Sequence, residues 1–337
     1  MSNNRQVKLL LTGSTGFLGS ALSQCLINDS KYKLVVAVRH ELSKSIVDCE
    51  SIVVGNLDAT TDWKQAVSSV DVVIHTAARA HIMNDSVADP LTEFRKVNTA
   101  GTLTLAHQAV EAGVKRFIFI SSIKANGEET YSESFSKEEG VRRFTEEDVF
   151  IPIDPYSLSK QEAEQGLLKL AEETGIEVVI IRPPLVYGPG VKANFASMMK
   201  WIQKGIPLPF GSIHNLRSLV ALDNLVSFII HCINHPKAAN EVFLISDGED
   251  ISTTELLQKV AKAFGKSVTL LSVPVGFMIN VAKILGKDDL ANRLFGSLQV
   301  DNSKARDLLG WKPVITMEEQ LKKTANAYLN EKASQHE

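Results

Sequence analysis

Val7-Lys8-Leu9-Leu10-Leu11-Thr12-Gly13-Ser14-Thr15-Gly16-Phe17-Leu18-Gly19 is an apolar run that ends in glycines at a G-x-x-G-x-x-G spacing. A helix-period segment follows, with Leu18, Ala21, Leu22, Cys25 and Leu26 at i, i+3, i+4, i+7 and i+8. A strand, a glycine turn and an amphipathic helix in that order form a site for a dinucleotide pyrophosphate. Gly13 permits the tight turn, Gly16 lets backbone N–H groups approach the phosphates, and Gly19 permits close helix–strand packing. The candidate cofactor contacts here are Gly13, Ser14, Thr15, Gly16, Phe17, Leu18 and Gly19.

Outward from this turn, short strand-like runs alternate with helix-period segments. The runs are Val7 to Thr12, Leu34 to Val38, Ser51 to Val54, Val72 to His75, Arg116 to Ser121, Val178 to Arg182 and Val242 to Ile245. Most are continuously apolar, as strands covered on both faces of a parallel sheet are, so the pattern is βαβ. One helix is expected from about Asn98 to Ala112, stopped by Gly113, and another after Tyr156, ending near Gly175. After Arg182 the prolines and glycines Pro183, Pro184, Pro189, Gly190, Pro207, Pro209 and Gly211 break the alternation around a helix near Phe195 to Lys204. The expected division is a dinucleotide-binding domain of 1–182 plus about 220–248, and a smaller, discontinuous substrate lobe of about 183–219 plus 249–337.

Composition narrows the function classes. The chain has 337 residues, 44% hydrophobic and 22% charged, which excludes a disordered, collagen-like or coiled-coil chain. Its net charge of −3, with basic residues scattered rather than clustered, argues against nucleic acid as partner. No apolar stretch reaches the ~20 residues needed to span a bilayer, and no secretory signal is evident. Cys25, Cys49 and Cys232 have no C-x-x-C spacing and read as buried thiols in a reducing compartment, so a cytoplasmic protein is expected. His231 and His235 share a helical spacing without a third ligand, and no metal site is expected. The acidic stretch Glu128 to Asp148 reads as a solvated loop or as a cover over the site.

The cofactor crevice acquires further candidates at strand ends. Arg39 and His40 stand where an acidic residue would bind a ribose diol. A cation there suits a 2′-phosphate and favours NADP(H), with NAD(H) possible; a solvated strand-end arginine is the other reading. Asn56 and Leu57 are placed near the adenine, although Asn56 also fits ordinary turn chemistry, and Thr76, Ala77 and Ala78 are small enough to let the backbone approach the cofactor.

Tyr156-Ser157-Leu158-Ser159-Lys160 puts a phenol and an ammonium four residues apart on one helical face, and Ser121-Ser122 closes the strand that begins at Arg116. With the glycine motif, Asn98 in Val97-Asn98-Thr99-Ala100-Gly101, Arg182-Pro183 through Tyr187-Gly188-Pro189-Gly190, Arg217 before Leu222-Asp223, and Ser303-Lys304-Ala305 leading to Leu309-Gly310-Trp311, the chain resembles the extended short-chain dehydrogenase/reductase family along nearly its whole length. Within that family it is similar to the nucleotide-sugar branch of 4-epimerases, 4,6-dehydratases and 4-ketosugar reductases. The resemblance implies a Rossmann-type doubly wound parallel α/β sheet of about seven strands, a UDP-sugar substrate and a homodimer paired through the Asn98 and Tyr156 helices.

The resemblance also implies roles. Tyr156 is the acid/base, its pKa lowered by Lys160 and the oxidised nicotinamide, while Lys160 also bonds the nicotinamide ribose. Ser122 holds the reacting oxygen, Ser121 and Pro183 border the cofactor, and Asn98 either keeps helix geometry and a proton-relay water or is a plain N-cap. Arg217 is the expected pyrophosphate ligand of the substrate; Arg293 is either a second one or a surface charge. Tyr187, Lys192 and Asn194 are expected to line the sugar or nucleotide pocket, and Leu185 stands where many relatives carry asparagine. Ile123-Lys124, where a dehydratase has an Asp-Glu pair, argues against dehydration.

Three functions follow. The leading expectation is NADPH-dependent reduction of a UDP-4-keto-6-deoxy-N-acetylhexosamine, favoured by Arg39 and by the run from His75 to His81. A UDP-glucose or UDP-N-acetylglucosamine 4-epimerase with tightly held NAD is the alternative. A non-catalytic dinucleotide-sensing scaffold is the third, and the Tyr156/Lys160 pair argues against it.

Overall fold

A computed structural model describes residues 5–41, 49–80, 89–130, 142–148, 154–286 and 288–334. Its strands are β1 (Val7–Thr12), β2 (Tyr32–Val38), β3 (Glu50–Val53), β4 (Val72–His75), β5 (Arg116–Ile120), β6 (Glu177–Arg182), β7 (Leu185–Tyr187), β8 (Arg217–Ala221), β9 (Glu241–Leu244) and β10 (Asp250–Ile251). Its helices are α1 (Phe17–Ile27), α2 (Lys64–Val67), α3 (Pro90–Phe94), α4 (Gly101–Glu111), α5 (Pro155–Thr174), α6 (Ala193–Gln203), α7 (Leu222–Asn234), α8 (Thr253–Ala263), α9 (Val275–Ile284), α10 (Asp288–Phe295), α11 (Ser303–Leu309) and α12 (Met317–Ser334).

Seven strands form one parallel sheet in the order β3-β2-β1-β4-β5-β6-β9. This is the doubly wound α/β arrangement that the apolar runs predict. The chain winds outward from β1 in one direction and then resumes at β4 in the other, so the crevice between the carboxyl ends of β1 and β4 is the place where such a sheet receives a ligand. A second sheet, β10-β8-β7, carries β8 parallel to β7 and antiparallel to β10.

Both faces of the large sheet are covered. On one face Leu9, Leu11, Ile74 and Ile118 pack with α1, α7 and α11, and on the other Leu10, Val73, Phe117 and Phe119 pack with Trp63, α4 and α5. Burying each such side chain contributes on the order of 2 kcal/mol, which is why the strands tolerate almost no polar residue. A third apolar cluster, with Phe195, Met199, Leu219, Leu257 and Leu321, lies around the small sheet. Among the described residues no helix is long and apolar enough to cross a membrane.

Two local expectations change. The buried stripe of α1 is Gly19, Leu22, Ser23 and Leu26, so it is rotated from the one the apolar periodicity suggests, and Cys25 is exposed rather than buried. Ser23 tolerates burial because its hydroxyl donates to the Gly19 carbonyl at 2.8 Å. Cys49 is half-buried, and only Cys232 is a buried thiol. The second change concerns Asn98, which does not cap a helix. The helical stretch starts eight residues earlier, at Pro90, where Asp89 accepts from the Thr92 N–H and proline occupies the first turn. It runs on through a π-helical segment, Arg95–Ala100, into α4.

Two glycines of the motif, Gly13 and Gly19, stand where a side chain has no room. Gly13 has φ +75°, and a Cβ there would fall 2.8 Å from the Ala77 N. A Cβ on Gly19 would lie 2.0 Å from the Gly13 carbonyl oxygen, an overlap that backbone alone would have to relieve. Gly19→Ala is therefore expected to lower unfolding free energy by about 3 kcal/mol or more, read from the urea midpoint; a loss below about 1 kcal/mol would contradict this packing.

Candidate functional site

The site gathers at the carboxyl ends of β1, β4, β5 and β6. Gly16 occupies the N-cap of α1 without any side-chain capping bond, and its N–H donates to the Gly13 carbonyl at 2.9 Å. Ser14 is buried beside this turn, and its hydroxyl has no hydrogen-bond partner among the described residues. Uncapped first-turn N–H groups, a glycine cradle that a Cβ would fill and an orphaned buried hydroxyl fit a dinucleotide pyrophosphate. Thr15 is exposed, and Phe17 and Leu18 are half-buried.

The β4 end is pinned to β1. Thr76 Oγ1 donates to the Thr12 carbonyl at 2.7 Å, and the Ala77 N–H donates to Thr12 Oγ1 at 3.2 Å. Behind them His75 is fully buried, with Nδ1 2.7 Å from Thr12 Oγ1 and Nε2 3.0 Å from Thr102 Oγ1. Ala78 is exposed, Asn56 is exposed with its carbonyl accepting from Thr61 Oγ1 at 2.8 Å, and Leu57 is half-buried. Arg39 and His40 are exposed at the end of β2, and His81 lies outside the described residues.

Ser122 follows β5 and caps a short 3-10 turn, Ile123–Ala125, its Oγ accepting from the Lys124 N–H at 3.3 Å. Tyr156 stands in the first turn of α5 and is hydrogen-bonded to the Ser122 side chain. Asp154 caps that helix by accepting from the Ser157 N–H at 3.1 Å, and Lys124 Nζ bonds Asp154 at 3.2 Å. One turn after Tyr156, Lys160 is only 2% exposed, its Nζ donating to the Ile120 carbonyl at 2.8 Å and lying 4.4 Å from the centre of the Phe119 ring. Burial pushes the Lys160 ammonium down to about 7, with Glu164 pulling the other way. Ser121 is buried, its hydroxyl without a partner among the described residues, and the Pro183 carbonyl accepts from the Ile123 N–H at 3.0 Å.

The expected lowering of Tyr156 is not found in the chain itself. Burial pushes its phenol up to about 12, the Ser122 hydrogen bond opposes this and Asp154 adds to it. Lys160 directs its ammonium at a carbonyl of β5, so the strongest local influence on Tyr156 is loss of solvent rather than a cation.

Asn98 reaches this cluster from the π-helical segment. Its Oδ1 accepts from the Arg79 N–H at 2.8 Å, while its Nδ2 donates to the Arg79 carbonyl at 3.1 Å and to Ser159 Oγ at 3.0 Å. A π-turn shifts the side chains after it by one position, which aims a residue of one helix at its neighbour. The Tyr187-Gly188-Pro189-Gly190 loop passes beside the start of α1, since a Cβ on Gly190 would lie 4.0 Å from the Phe17 side chain.

Other candidates are placed differently. Tyr187 is fully buried and gives its hydroxyl to Asp247 at 2.7 Å, so it stands behind the pocket wall rather than on it. Lys192 and Asn194 are exposed at the start of α6. Arg217 donates to the Gly296 carbonyl at 3.0 Å, with Glu129 as a nearby charge. Arg293 lies on α10, its side chain outside the described residues, as are 131–141 of the acidic stretch. His231 donates from Nε2 to the Leu309 carbonyl at 2.9 Å and stacks on His235; no metal-binding group occurs among the described residues. Sequence reading missed Ser159, whose hydroxyl donates to the Tyr156 carbonyl at 2.7 Å, and the buried Glu164–Arg182 pair. Their positions in the tyrosine–lysine segment and just before Pro183 were the only signal available.

Residues 9–246 match the NAD-dependent epimerase/dehydratase family. The chain is 52% identical over 322 residues, 95% of either chain, to a UDP-glucose 4-epimerase of Vibrio cholerae. Among solved structures it is similar to the UDP-glucuronic acid 4-epimerase of Bacillus cereus in complex with NAD, at 22% identity, 96% coverage of this chain, 99% of that chain and a TM-score of 0.75. It is also similar to the UDP-glucose 4-epimerase of Thermotoga maritima with UDP-glucose, at 23% identity, the same coverage and a TM-score of 0.72. The two structural likenesses establish the shared fold.

Burial pushes the His75 imidazole down to about 3, with the Lys160 charge adding to the effect. Since the unfolded ring titrates near 6.5, the folded state binds fewer protons between those values, and stability is lost as pH falls through that window. Urea unfolding from about pH 7 to pH 4 is expected to show a steeper loss for the wild type than for His75→Gln. Equal slopes would remove His75 as the cause.

Proposed function

The chain belongs to the NAD-dependent epimerase/dehydratase family, and from that membership we propose that it is a 4-epimerase of a UDP-hexose, acting with bound NAD. The observation that carries this reading is the 52% identity, over 95% of both chains, to a UDP-glucose 4-epimerase. It favours epimerisation over the ketosugar reduction that the sequence first suggested, while the NAD dependence in the family's description favours NAD over NADP.

NAD, when bound, supplies a hydride acceptor for C4 of the sugar and gives the hydride back. The residues toward that group are Gly13 to Gly19 at the pyrophosphate, Asn56, Leu57, Thr76, Ala77 and Ala78 along the crevice, Ser121 and Pro183 at its floor, and Lys160 at the ribose. Ser122 and Tyr156 hold the 4-oxygen between two hydroxyls. Tyr156 takes the proton of the 4-hydroxyl as a phenolate and returns it as a phenol; burial in the chain alone favours the phenol, so the accepting form would need the positive charges of Lys160 and of the oxidised nicotinamide close by. Asn98 and Ser159 keep the helix of Tyr156 in register. Arg217 faces the substrate pyrophosphate, with Arg293, Lys192 and Asn194 on the same lobe; residues 1–182 with about 220–248 hold the dinucleotide, and 183–219 with 249–337 hold the sugar nucleotide. Pairing of α4 and α5 between two copies belongs to the same reading.

Arg39 supports a second reading. It is exposed at the end of β2, where its guanidinium suits a 2′-phosphate, as an NADPH-dependent 4-ketoreductase would require. Purified protein given NAD and UDP-glucose is expected to form UDP-galactose with no net change in reduced nicotinamide. Stoichiometric NADPH oxidation by UDP-4-keto-6-deoxy-N-acetylglucosamine, without that interconversion, would reverse the order of the two readings.

Tyr156→Phe is expected to lower kcat by about 10²- to 10⁴-fold while NAD affinity changes little. Parallel loss of both would remove the acid/base role. Arg39→Asp is expected to leave NAD-supported epimerisation near its wild-type rate; a large shift of preference from NADP(H) toward NAD(H) would instead support the reductase.

A further inference from the structure

The carboxylate of Glu164, one turn beyond Lys160 on α5, is 2% exposed. It receives the guanidinium of Arg182, at the end of β6, through Nε at 3.0 and 3.1 Å and through Nη2. The same guanidinium donates from Nη1 to Asn126 Oδ1 at 3.0 Å, and Asn126 Nδ2 donates to the carbonyls of Thr145 and Asp148 at 2.8 and 3.0 Å. Asn126 is the C-cap of the 3-10 turn that Ser122 opens. One largely buried chain of hydrogen bonds, charge-assisted from Glu164 through Arg182 to Asn126, thus links the helix of Tyr156 and Lys160, the strand before Pro183 and the turn of Ser122. Charges this deeply buried stabilise a fold weakly relative to an apolar pair of the same volume, but they fix geometry strongly.

We propose that Glu164 and Arg182 are positioning residues, which act through Lys160 and the Ser122 turn to hold the hydroxyls and the ammonium of the site in one arrangement. The inference rests on the tyrosine–lysine site proposed above and holds for either sugar reaction. Glu164 has a second effect, because its negative charge opposes the desolvation of the Lys160 ammonium. The groups that act on Lys160 are Glu164 on its own helix, the Ile120 carbonyl and Phe119 ring on β5, and the neutral His75 on β4; Arg182 on β6 is met through Glu164. Glu164 is the one carboxylate in that set.

The test compares Glu164→Gln with the double variant Glu164→Gln/Arg182→Met, which leaves no lone buried charge and keeps the experiment informative if the single variant fails to fold. Two readouts are taken across pH: NADH affinity by fluorescence, which needs no sugar, and kcat and KM on whichever sugar nucleotide the wild type turns over. The folded double variant is expected to lose about tenfold or more in kcat with KM little changed. The alkaline limb of both NADH affinity and kcat is expected to move to lower pH, because Lys160 gives up its proton sooner. A purely structural pair would lower the melting temperature and leave both limbs in place, and that result overturns the proposal. Wild-type protein that fails to bind NADH would overturn the cofactor reading and this inference with it, whereas wild-type binding with an unmoved variant sinks this inference alone.

Discussion

An ammonium taken out of water costs several kcal/mol unless the protein replaces its solvent, and the burial of Lys160 sets the terms for everything around it. The Ile120 carbonyl, the Phe119 ring and the charge of Glu164 supply that replacement, each from a different direction. The carbonyl is available because β5 ends there and its last residues leave the ladder to become the Ser122 turn. His75 must stay neutral for the same reason, and two threonine hydroxyls hold it so.

This arrangement explains why the chemistry sits at strand ends. Six parallel strands buried on both faces make a rigid floor, while the first residues past their carboxyl ends are released from pairing and can present backbone groups and short side chains. Thr76, Ser121 and Ser122 all occupy such positions, beside Thr12, the last paired residue of β1. Ser14 and Ser121 keep buried hydroxyls with no partner among the described residues, and at the mouth of a crevice such groups are free to bond a bound molecule.

Much of this was readable in the sequence because it depends on local order. The apolar runs locate all seven strands of the large sheet within two residues, and the G-x-x-G-x-x-G, Ser-Ser and Tyr-x-x-x-Lys spacings find the side chains that the fold then brings together. Reading fails where tertiary contacts override periodicity. Ser23 replaces Cys25 on the buried face of α1 because an intrahelical bond satisfies its hydroxyl. Asn98 looked like a helix start because Asp89-Pro90, the true start, lies eight residues away and the intervening π-turn has no sequence period. Tyr187 looked like a pocket residue, but its partner Asp247 is sixty positions later. The Glu164–Arg182 pair spans α5 and β6 and leaves no periodic trace at all.

The large sheet also has a temporal side. Its edge strand β9 pairs with β6 only after the chain has built β7, α6, β8 and α7, and Ala305, Leu309 and Trp311 then pack into the same apolar layer as β1 and α1. On a ribosome, the nucleotide crevice near the amino end would emerge long before the segments that seal its reverse face. Non-local closure of this kind is slow, and until it occurs the β6 edge and the apolar layer beneath α1 stay open to wrong partners. The carboxyl-terminal quarter of the chain therefore acts as a late assembly step for its first helix.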